Sequence, residues 1–195
     1  MPDLEIDGTE LEVMENIKLL GIIIQSDMKW KSNTSNLVNK SNKKLWMIRR
    51  LKYLGAEQDD LVDIYVKHVR SILELAVPAW QGAITQSERF DLERVQKSAL
   101  HIILGGKYES YSQALEITGL QNLELRRQNL CLKFARKAES HLKHKRWFKL
   151  NLNPVDTRQQ KTKYKSVHFK HRRFRDSPIS YLTSLLNKHH SKTKK

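Results

Sequence analysis

The pair Asp59-Asp60 is the first candidate for chemistry in this sequence of 195 residues. Adjacent carboxylates can hold the two metal ions that assist phosphoryl transfer. Here, however, the run Glu57-Gln-Asp-Asp60 opens an apolar helical pattern, and carboxylates in a first helical turn are stabilised by the positive end of the helix dipole. We therefore predict a structural role for this pair, and we predict no catalytic residue in the chain.

The single cysteine and the eight histidines could in principle ligate a metal ion. Cys131 shares a helical register with Leu123, Leu130 and Phe134, which predicts a buried core thiol. Six of the histidines lie after residue 140 among lysines and arginines, which would repel a metal ion. The sequence therefore predicts neither a metal site nor an internal disulfide.

One helical face combines cations with aromatic rings. Projected at about 100° per residue, Lys43, Trp46, Arg50 and Tyr53 line one side of a helix predicted over residues 37–54. Such a stripe can lie along a nucleic-acid backbone while its rings pack on sugars or bases. The alternative is that Trp46 and Tyr53 are core residues of a helix packed on two sides.

A second basic stripe is predicted on the helix that Thr85-Gln-Ser-Glu88 opens as a capping box. Arg94, Lys97 and His101 stand at i, i+3 and i+7, opposite a buried face of Leu92, Val95, Ala99 and Ile102. This stripe carries no large apolar group, so it is the better candidate for phosphate contact. A merely solvated face is the alternative.

The net charge of +15 is concentrated after residue 140. Residues 1–140 hold 20 Lys and Arg against 19 Asp and Glu, whereas residues 141–195 hold 16 against two. Such a tail attracts phosphate backbones through counterion release, without reading base sequence. Its cationic candidates for RNA or single-strand binding are Lys170, Arg172, Arg173 and Arg175, with aromatic residues interleaved. The alternative is a solvated tail with no dedicated partner.

The elements that position these residues are mainly helical. Residues 58–80 are predicted to form a central helix that is apolar nearly all round and is bent or ended by Pro78. Further helices are predicted to end at Gly55, Gly105 and Gly119, and the last core helix is predicted to span residues 122–141. Before them, apolar residues alternate around the turn pair Asp7-Gly8, and Leu19–Ile24 reads as one more strand.

The predicted fold class is therefore mainly α. A short β-hairpin and strand over residues 1–25 precede a bundle of about five helices over residues 26–142. Residues 143–195 form a basic, largely irregular tail with a short amphipathic helix at 178–187, which could dock on the core or on a partner. No apolar run approaches the roughly 20 residues that a membrane span requires. We expect an intracellular protein, and the basic clusters of the tail are typical of nuclear-import signals.

Two long runs resemble a known family. Ser71-Ile-Leu-Glu-Leu-Ala-Val-Pro-Ala-Trp80 and Leu92-Glu-Arg-Val-Gln-Lys-Ser-Ala-Leu-His-Ile-Ile103 are similar to the segment that follows the polymerase palm in reverse transcriptases of LINE-type, jockey-like (non-LTR) retrotransposons. The resemblance also includes Lys18-Leu-Leu-Gly21, Ser26-Asp-Met-Lys-Trp30 and Arg175-Asp-Ser-Pro-Ile-Ser-Tyr-Leu-Thr-Ser-Leu-Leu-Asn187. The chain departs from the family pattern at several positions: Leu19 and Leu75 replace a common tyrosine, Ala79 a valine, and Ser98 and His101 arginines.

The resemblance implies a C-terminal fragment of an RNA-directed DNA polymerase. The N-terminal strands would be the end of a palm whose main body, with its catalytic aspartates and Mg²⁺, belongs to the missing N-terminal polymerase domains. The helical region would be thumb-like and would grip the phosphate backbone of an RNA–DNA primer–template duplex. No cofactor and no small-molecule substrate are expected for this chain. The alternative is a free-standing nucleic-acid-binding or protein-interaction module derived from a retroelement.

Overall fold

The N-terminal region forms two antiparallel hairpins. The computed structural model describes residues 5–7, 9–10, 13–151, 162–166 and 176–193. Strands β1 (Glu5–Ile6) and β2 (Thr9–Glu10) pair around the turn predicted at Asp7, whose φ is 51°. Strands β3 (Asn16–Leu19) and β4 (Ile22–Gln25) pair with Leu19 opposite Ile22.

The prediction of one strand over Leu19–Ile24 is wrong. Leu20 and Gly21 have φ angles of 48° and 88° and reverse the chain in the middle of this apolar run. Two consecutive residues with positive φ form the kind of tight turn whose twist suits a hairpin. The mainly helical fold that follows these hairpins is the one predicted.

Helix α1 (Lys31–Tyr53) is held by one buried face. Leu37, Ser41, Leu45 and Ile48 are buried, as the periodicity predicts, and Leu51 is half-buried. The helix ends at Gly55, which has a φ of 86° and whose N–H donates to the Lys52 carbonyl at 3.0 Å. The helix begins at Lys31, and polar residues of its first turns also pack inward: Asn33 and Thr34 are buried.

The predicted central helix over residues 58–80 is broken. Helix α2 (Gln58–Tyr65) continues through a π-helical segment (Val66–Arg70) into α3 (Ser71–Leu73), and α4 (Val77–Trp80) follows a turn. The break occurs at Ala76, which is left-handed with a φ of 50°, and not at Pro78. Pro78 lies in the first turn of α4, where a missing N–H removes no helical hydrogen bond.

The α2–α3 region is also not apolar all round. Its buried side chains form a single stripe: Leu61, Tyr65, Val69 and Leu73. Lys67 and His68 are exposed on the other side. The stripe packs against α1 and α5, so this region has one core-facing side and one solvent-facing side.

Three helices follow with the predicted caps. Helix α5 (Gln86–Leu104) begins with the Thr85–Glu88 capping box, α6 (Tyr111–Thr118) ends at Gly119, and α7 (Leu123–Ser140) is capped by the Asn122 side chain. The buried face of α7 consists of Leu123, Arg127, Cys131, Ala135 and Ala138.

Cys131 is buried as predicted, and burial raises the pKa of its thiol to about 12. Phe134 was predicted to be a core residue together with Cys131, but its side chain is 40% exposed. The buried register of α7 instead passes through Arg127, whose Nε donates to Gln81 Oε1 at 2.9 Å.

The last helix, α8 (Pro178–Thr193), packs on α7 and α4 and is longer than the predicted 178–187. Leu182 and Leu186 are buried in this contact. Gly82 permits the close approach, because a Cβ there would lie 2.6 Å from Tyr181 Cβ. The sequence left open whether this helix docks on the core or on a partner, and the structure shows docking on the core.

Within the described ranges, no helix has the length and apolar character needed to cross a membrane.

Candidate nucleic-acid interface

The stripe predicted on α1 faces solvent. Lys43 and Arg50 are exposed, and the side chains of Trp46 and Tyr53 are 67% and 81% exposed. Arg50 lies over the Tyr53 ring, with its guanidinium carbon 5.5 Å from the ring centroid. The alternative interpretation, in which Trp46 and Tyr53 belong to the core, is therefore wrong.

Helix α1 is strongly cationic, above all in residues 40–52. It contains seven lysines and arginines and no aspartate or glutamate: Lys31, Lys40, Lys43, Lys44, Arg49, Arg50 and Lys52. The near-neutral total of residues 1–140 hides this segregation, because their acidic residues lie on other elements. Counting charge by helix instead of by region reveals it from the sequence.

The second stripe lies on the helix beside α1. Thr34 Oγ1 donates to Glu88 Oε1 at 2.9 Å near the start of both helices, and Lys52 Nζ donates to the Ile102 carbonyl at 2.6 Å near their ends. Helices α1 and α5 therefore run side by side in the same direction. Lys52 neutralises the C-terminal end of α5, since its Nζ also donates to the Ile103 carbonyl at 3.0 Å.

The three residues of the α5 stripe have different surroundings. Arg94 is exposed and pairs with Asp91 at 3.5 Å, which compensates part of its charge. Lys97 Nζ lies 5.5 Å from the Phe90 ring centroid and 5.0 Å from that of Tyr111, a cation–π arrangement that holds the ammonium in place.

His101 completes the α5 stripe at its C-terminal end. Its ring packs against Tyr108 with centroids 5.0 Å apart. The structure therefore places the predicted α5 stripe at the surface, with Lys97 and His101 supported by neighbouring rings.

Arg49 is the residue that the sequence analysis missed. It lines a shallow groove of about 350 Å³ between α1 and α5, together with Lys97, Ser98, His101, Ile102 and Tyr108. On a helical projection it falls between the α1 stripe and the buried face, so it extends the cations of α1 toward those of α5. Its position next to Arg50 is the signal that could have identified it. We call Lys43, Trp46, Arg49, Arg50, Tyr53, Arg94, Lys97 and His101 the α1–α5 surface.

A buried polar network fixes α5 beneath this surface. Gln96 is fully buried, accepts the Tyr65 hydroxyl at 2.7 Å and donates to the Tyr111 hydroxyl at 2.9 Å. Glu93 accepts the hydroxyl of Tyr111 and the backbone N–H groups of Leu123 and Glu124 at 2.9 and 3.0 Å. Burial and the Glu93 carboxylate raise the pKa of Tyr111, so this hydroxyl stays protonated. The ring that supports Lys97 is therefore anchored to Gln96 and Glu93 of α5, and through them to α2 and α7.

The remaining site predictions fall elsewhere. Lys170, Arg172, Arg173 and Arg175 lie outside the described residues. Asp59 and Asp60 are exposed in the first turn of α2, where their carboxylates face the helix dipole as predicted. In the part of the chain that the structure describes, no three His, Cys, Asp or Glu side chains come together as a metal ion would require.

Comparison with known proteins found no match: no family model, no curated protein and no solved structure is similar to this chain. The likeness to LINE-type reverse transcriptases therefore rests on the residues of the chain itself.

Proposed function

We propose that this chain is a nucleic-acid-binding, thumb-like region of a LINE-type reverse transcriptase, and that it grips the RNA–DNA primer–template duplex without performing the chemical step. The observation that carries the proposal is the exposed face of α1. The opposite face of α1 already supplies a buried stripe to the core, and Trp46 and Tyr53 do not contribute to it. Both rings are mostly exposed to solvent, so the fold does not account for their presence. They lie between cations that have no carboxylate on their own helix.

The physical fit is to a phosphate backbone. Among the described residues, neither Lys43 nor Arg50 forms an ion pair, so both charges are available to phosphates. Contacts to phosphate and sugar carry no sequence information, which is what a polymerase needs on its template. Lys97 of the neighbouring α5 stripe lines a groove together with Arg49 of α1, and so offers a further cation beside this helix.

The test is the affinity of the full chain for a fluorescently labelled RNA–DNA duplex of about 18 base pairs, measured by anisotropy in low salt. We expect the double variant Lys43→Gln/Arg50→Gln to bind about tenfold more weakly, because two phosphate contacts are lost. The matched control is Lys18→Gln/Lys67→Gln, which removes the same charge from β3 and the π-helical segment. Equal weakening in both variants would mean that only net charge matters and would overturn the assignment to α1.

A second candidate function is a free-standing module whose basic tail alone binds nucleic acid, and the concentration of charge after residue 140 favours it. Deleting residues 143–195 would not separate the two functions, because it also removes α8, whose Leu182 and Leu186 are buried against the core. Substitution of tail cations does separate them. Replacement of Lys143, Lys145, Arg146 and Lys149 by glutamine removes four of the sixteen tail cations. It should weaken duplex binding strongly under the second function, and should leave most of the binding under the first.

A further inference from the structure

Three aromatic rings form a column where α7 ends. The His141 and His144 rings are stacked with centroids 4.4 Å apart and planes 23° apart, and the His144 and Trp147 rings follow at 4.5 Å and 28°. The backbone produces the spacing: the His144 N–H donates to the His141 carbonyl at 3.1 Å, and the Trp147 N–H to the His144 carbonyl at 2.9 Å. Side chains three residues apart eclipse one another in such turns.

The segment that follows the column packs on other parts of the chain. Phe148, next to Trp147, is buried against Tyr164 with ring centroids 5.8 Å apart. Backbone hydrogen bonds of 2.9 Å join Lys165 N to the Lys149 carbonyl and Asn151 N to the Lys163 carbonyl. The rings are therefore held in place by tertiary contacts.

The outer end of the column is open and cationic. His141 is exposed, and its Nδ1 accepts a bond from the Lys143 N–H at 3.3 Å, which orients the ring. Residues 140–149 contain four lysines and arginines and no aspartate or glutamate. The carboxylate that precedes them, Glu139, is engaged by Lys163 Nζ at 2.6 Å and by the Tyr164 hydroxyl.

We propose that the His141–His144–Trp147 column is a binding site for single-stranded nucleic acid, in which an unpaired base stacks on the His141 ring as the next layer. Base–aromatic stacking tolerates any base, because every base has a π-face, and the adjacent lysines would contact the flanking phosphates. Duplex DNA or RNA does not fit this site, because its bases are already stacked on one another. The inference deepens the proposed function by naming a second ligand form at a different place on the molecule.

The competing explanation is that the rings only close the end of α7 and that the lysines bind phosphate without any base contact. The two explanations differ in whether the base itself contributes to affinity. A probe that keeps the phosphates and removes the bases therefore distinguishes them.

The experiment compares two twelve-nucleotide probes on the full chain by fluorescence anisotropy: oligo(dT), and an abasic strand with the same number of phosphates. We expect the wild-type protein to prefer oligo(dT) by roughly fivefold or more, since stacking on an aromatic ring contributes that much to affinity. His141→Ala should remove the preference while leaving the abasic strand bound as before. His141→Tyr, which retains a ring, should keep it.

Equal wild-type affinity for the two probes would overturn the base-stacking site, and so would equal weakening of both probes in His141→Ala. The duplex assay keeps the two proposals separate. His141→Ala should leave duplex affinity unchanged, and Lys43→Gln/Arg50→Gln should leave the preference for oligo(dT) over the abasic strand unchanged. If duplex affinity does not depend on Lys43 and Arg50, the proposed function has failed. If the preference for oligo(dT) does not depend on His141, the base-stacking site has failed.

Discussion

Individual side chains of α1 divide sharply into those that hold the fold and those that are available for binding. Lys52 caps the end of α5 through two backbone carbonyls, whereas Lys43 and Arg50 project into solvent beside Trp46 and Tyr53. The same residue types thus have opposite roles within one helix. Whether a cation is available to bind a phosphate therefore depends on its contacts within the fold, and not on its residue type.

Trp46→Ala should affect binding and not stability. The ring is 67% exposed, so its removal should change the free energy of unfolding by no more than about 0.5 kcal/mol. Affinity for the RNA–DNA duplex should fall roughly fivefold, because under the proposed function the ring packs on the sugars of the duplex, and burying part of its apolar surface there contributes about 1 kcal/mol. The control is Phe134→Ala on α7, which removes a half-exposed ring and should leave duplex affinity unchanged. A loss of stability without a loss of affinity would place Trp46 in the fold.

Glu139 makes the free energy of unfolding depend on pH in the acidic range. Burial acts to raise its pKa, but hydrogen bonds from Lys163 and Tyr164 outweigh burial and lower the pKa below the usual 4.5. The folded state therefore favours the carboxylate. Its contribution to stability is present above pH 4.5 and is lost as the pH falls through the lower folded-state pKa.

Glu139→Gln should therefore be less stable than the wild type at neutral pH, and the difference should narrow as the pH is lowered below 4.5. Urea unfolding at several pH values measures this. Glu116→Gln, at an exposed position of α6, should follow the wild-type profile. A constant difference between Glu139→Gln and the wild type at all pH values would contradict the assigned linkage.

At the scale of elements, the docking of α8 joins the C-terminal part of the chain to the core. Its apolar side chains fill the space between α7 and α4, and Asn187 accepts the Tyr164 N–H at 2.9 Å and donates to the Tyr164 carbonyl at 3.0 Å. The segment that carries the His141–His144–Trp147 column is thereby tied to α8.

Leu186→Ala should destabilise the protein by about 2–4 kcal/mol, because it leaves a cavity at a fully buried position. Ser184→Ala, on the exposed side of the same helix, should change stability by less than about 0.5 kcal/mol. Chemical denaturation monitored by circular dichroism measures both. If Leu186→Ala were as stable as Ser184→Ala, α8 would not dock on the core in solution.

The elements divide into those that local sequence determines and those that tertiary contacts determine. The caps at Thr85 and Gly119 and the buried stripe of α1 were predicted correctly, because each depends on residues within one or two turns. The break at Ala76 was not, since alanine has no preference for the left-handed conformation. That turn is closed by a side chain from further along the chain: Trp80 Nε1 donates to the Leu75 carbonyl at 2.8 Å.

The candidate interface divides in the same way. Helical periodicity predicts each stripe, because it depends only on spacing along one helix. Periodicity does not predict that α1 and α5 are neighbours, and so it missed Arg49, which lines the groove between them. It also assigned Phe134 to the core, because this residue is apolar and in helical register with buried positions. Periodicity alone does not show that the buried face of α7 stops short of Phe134.

For the whole molecule, the distribution of charge is more informative than its sum. Acidic residues cluster in residues 1–15 and 57–63, whereas α1 and the region after residue 140 are cationic. Two separate surfaces, the α1–α5 surface and the His141–His144–Trp147 column, combine cations with exposed rings. The first suits a duplex backbone and the second an unpaired strand, and a primer–template carries both forms.

The central claim is that α1 contacts the phosphates of an RNA–DNA duplex, and the salt dependence of binding tests it most directly. Each phosphate contact contributes about 0.9 to the slope of log affinity against log salt concentration for B-form DNA. The measurement compares this slope for the wild type, Lys43→Gln/Arg50→Gln, and the control Lys18→Gln/Lys67→Gln. We predict that the α1 variant has a slope shallower by about two and that the control keeps the wild-type slope. An unchanged slope in the α1 variant would contradict the claim.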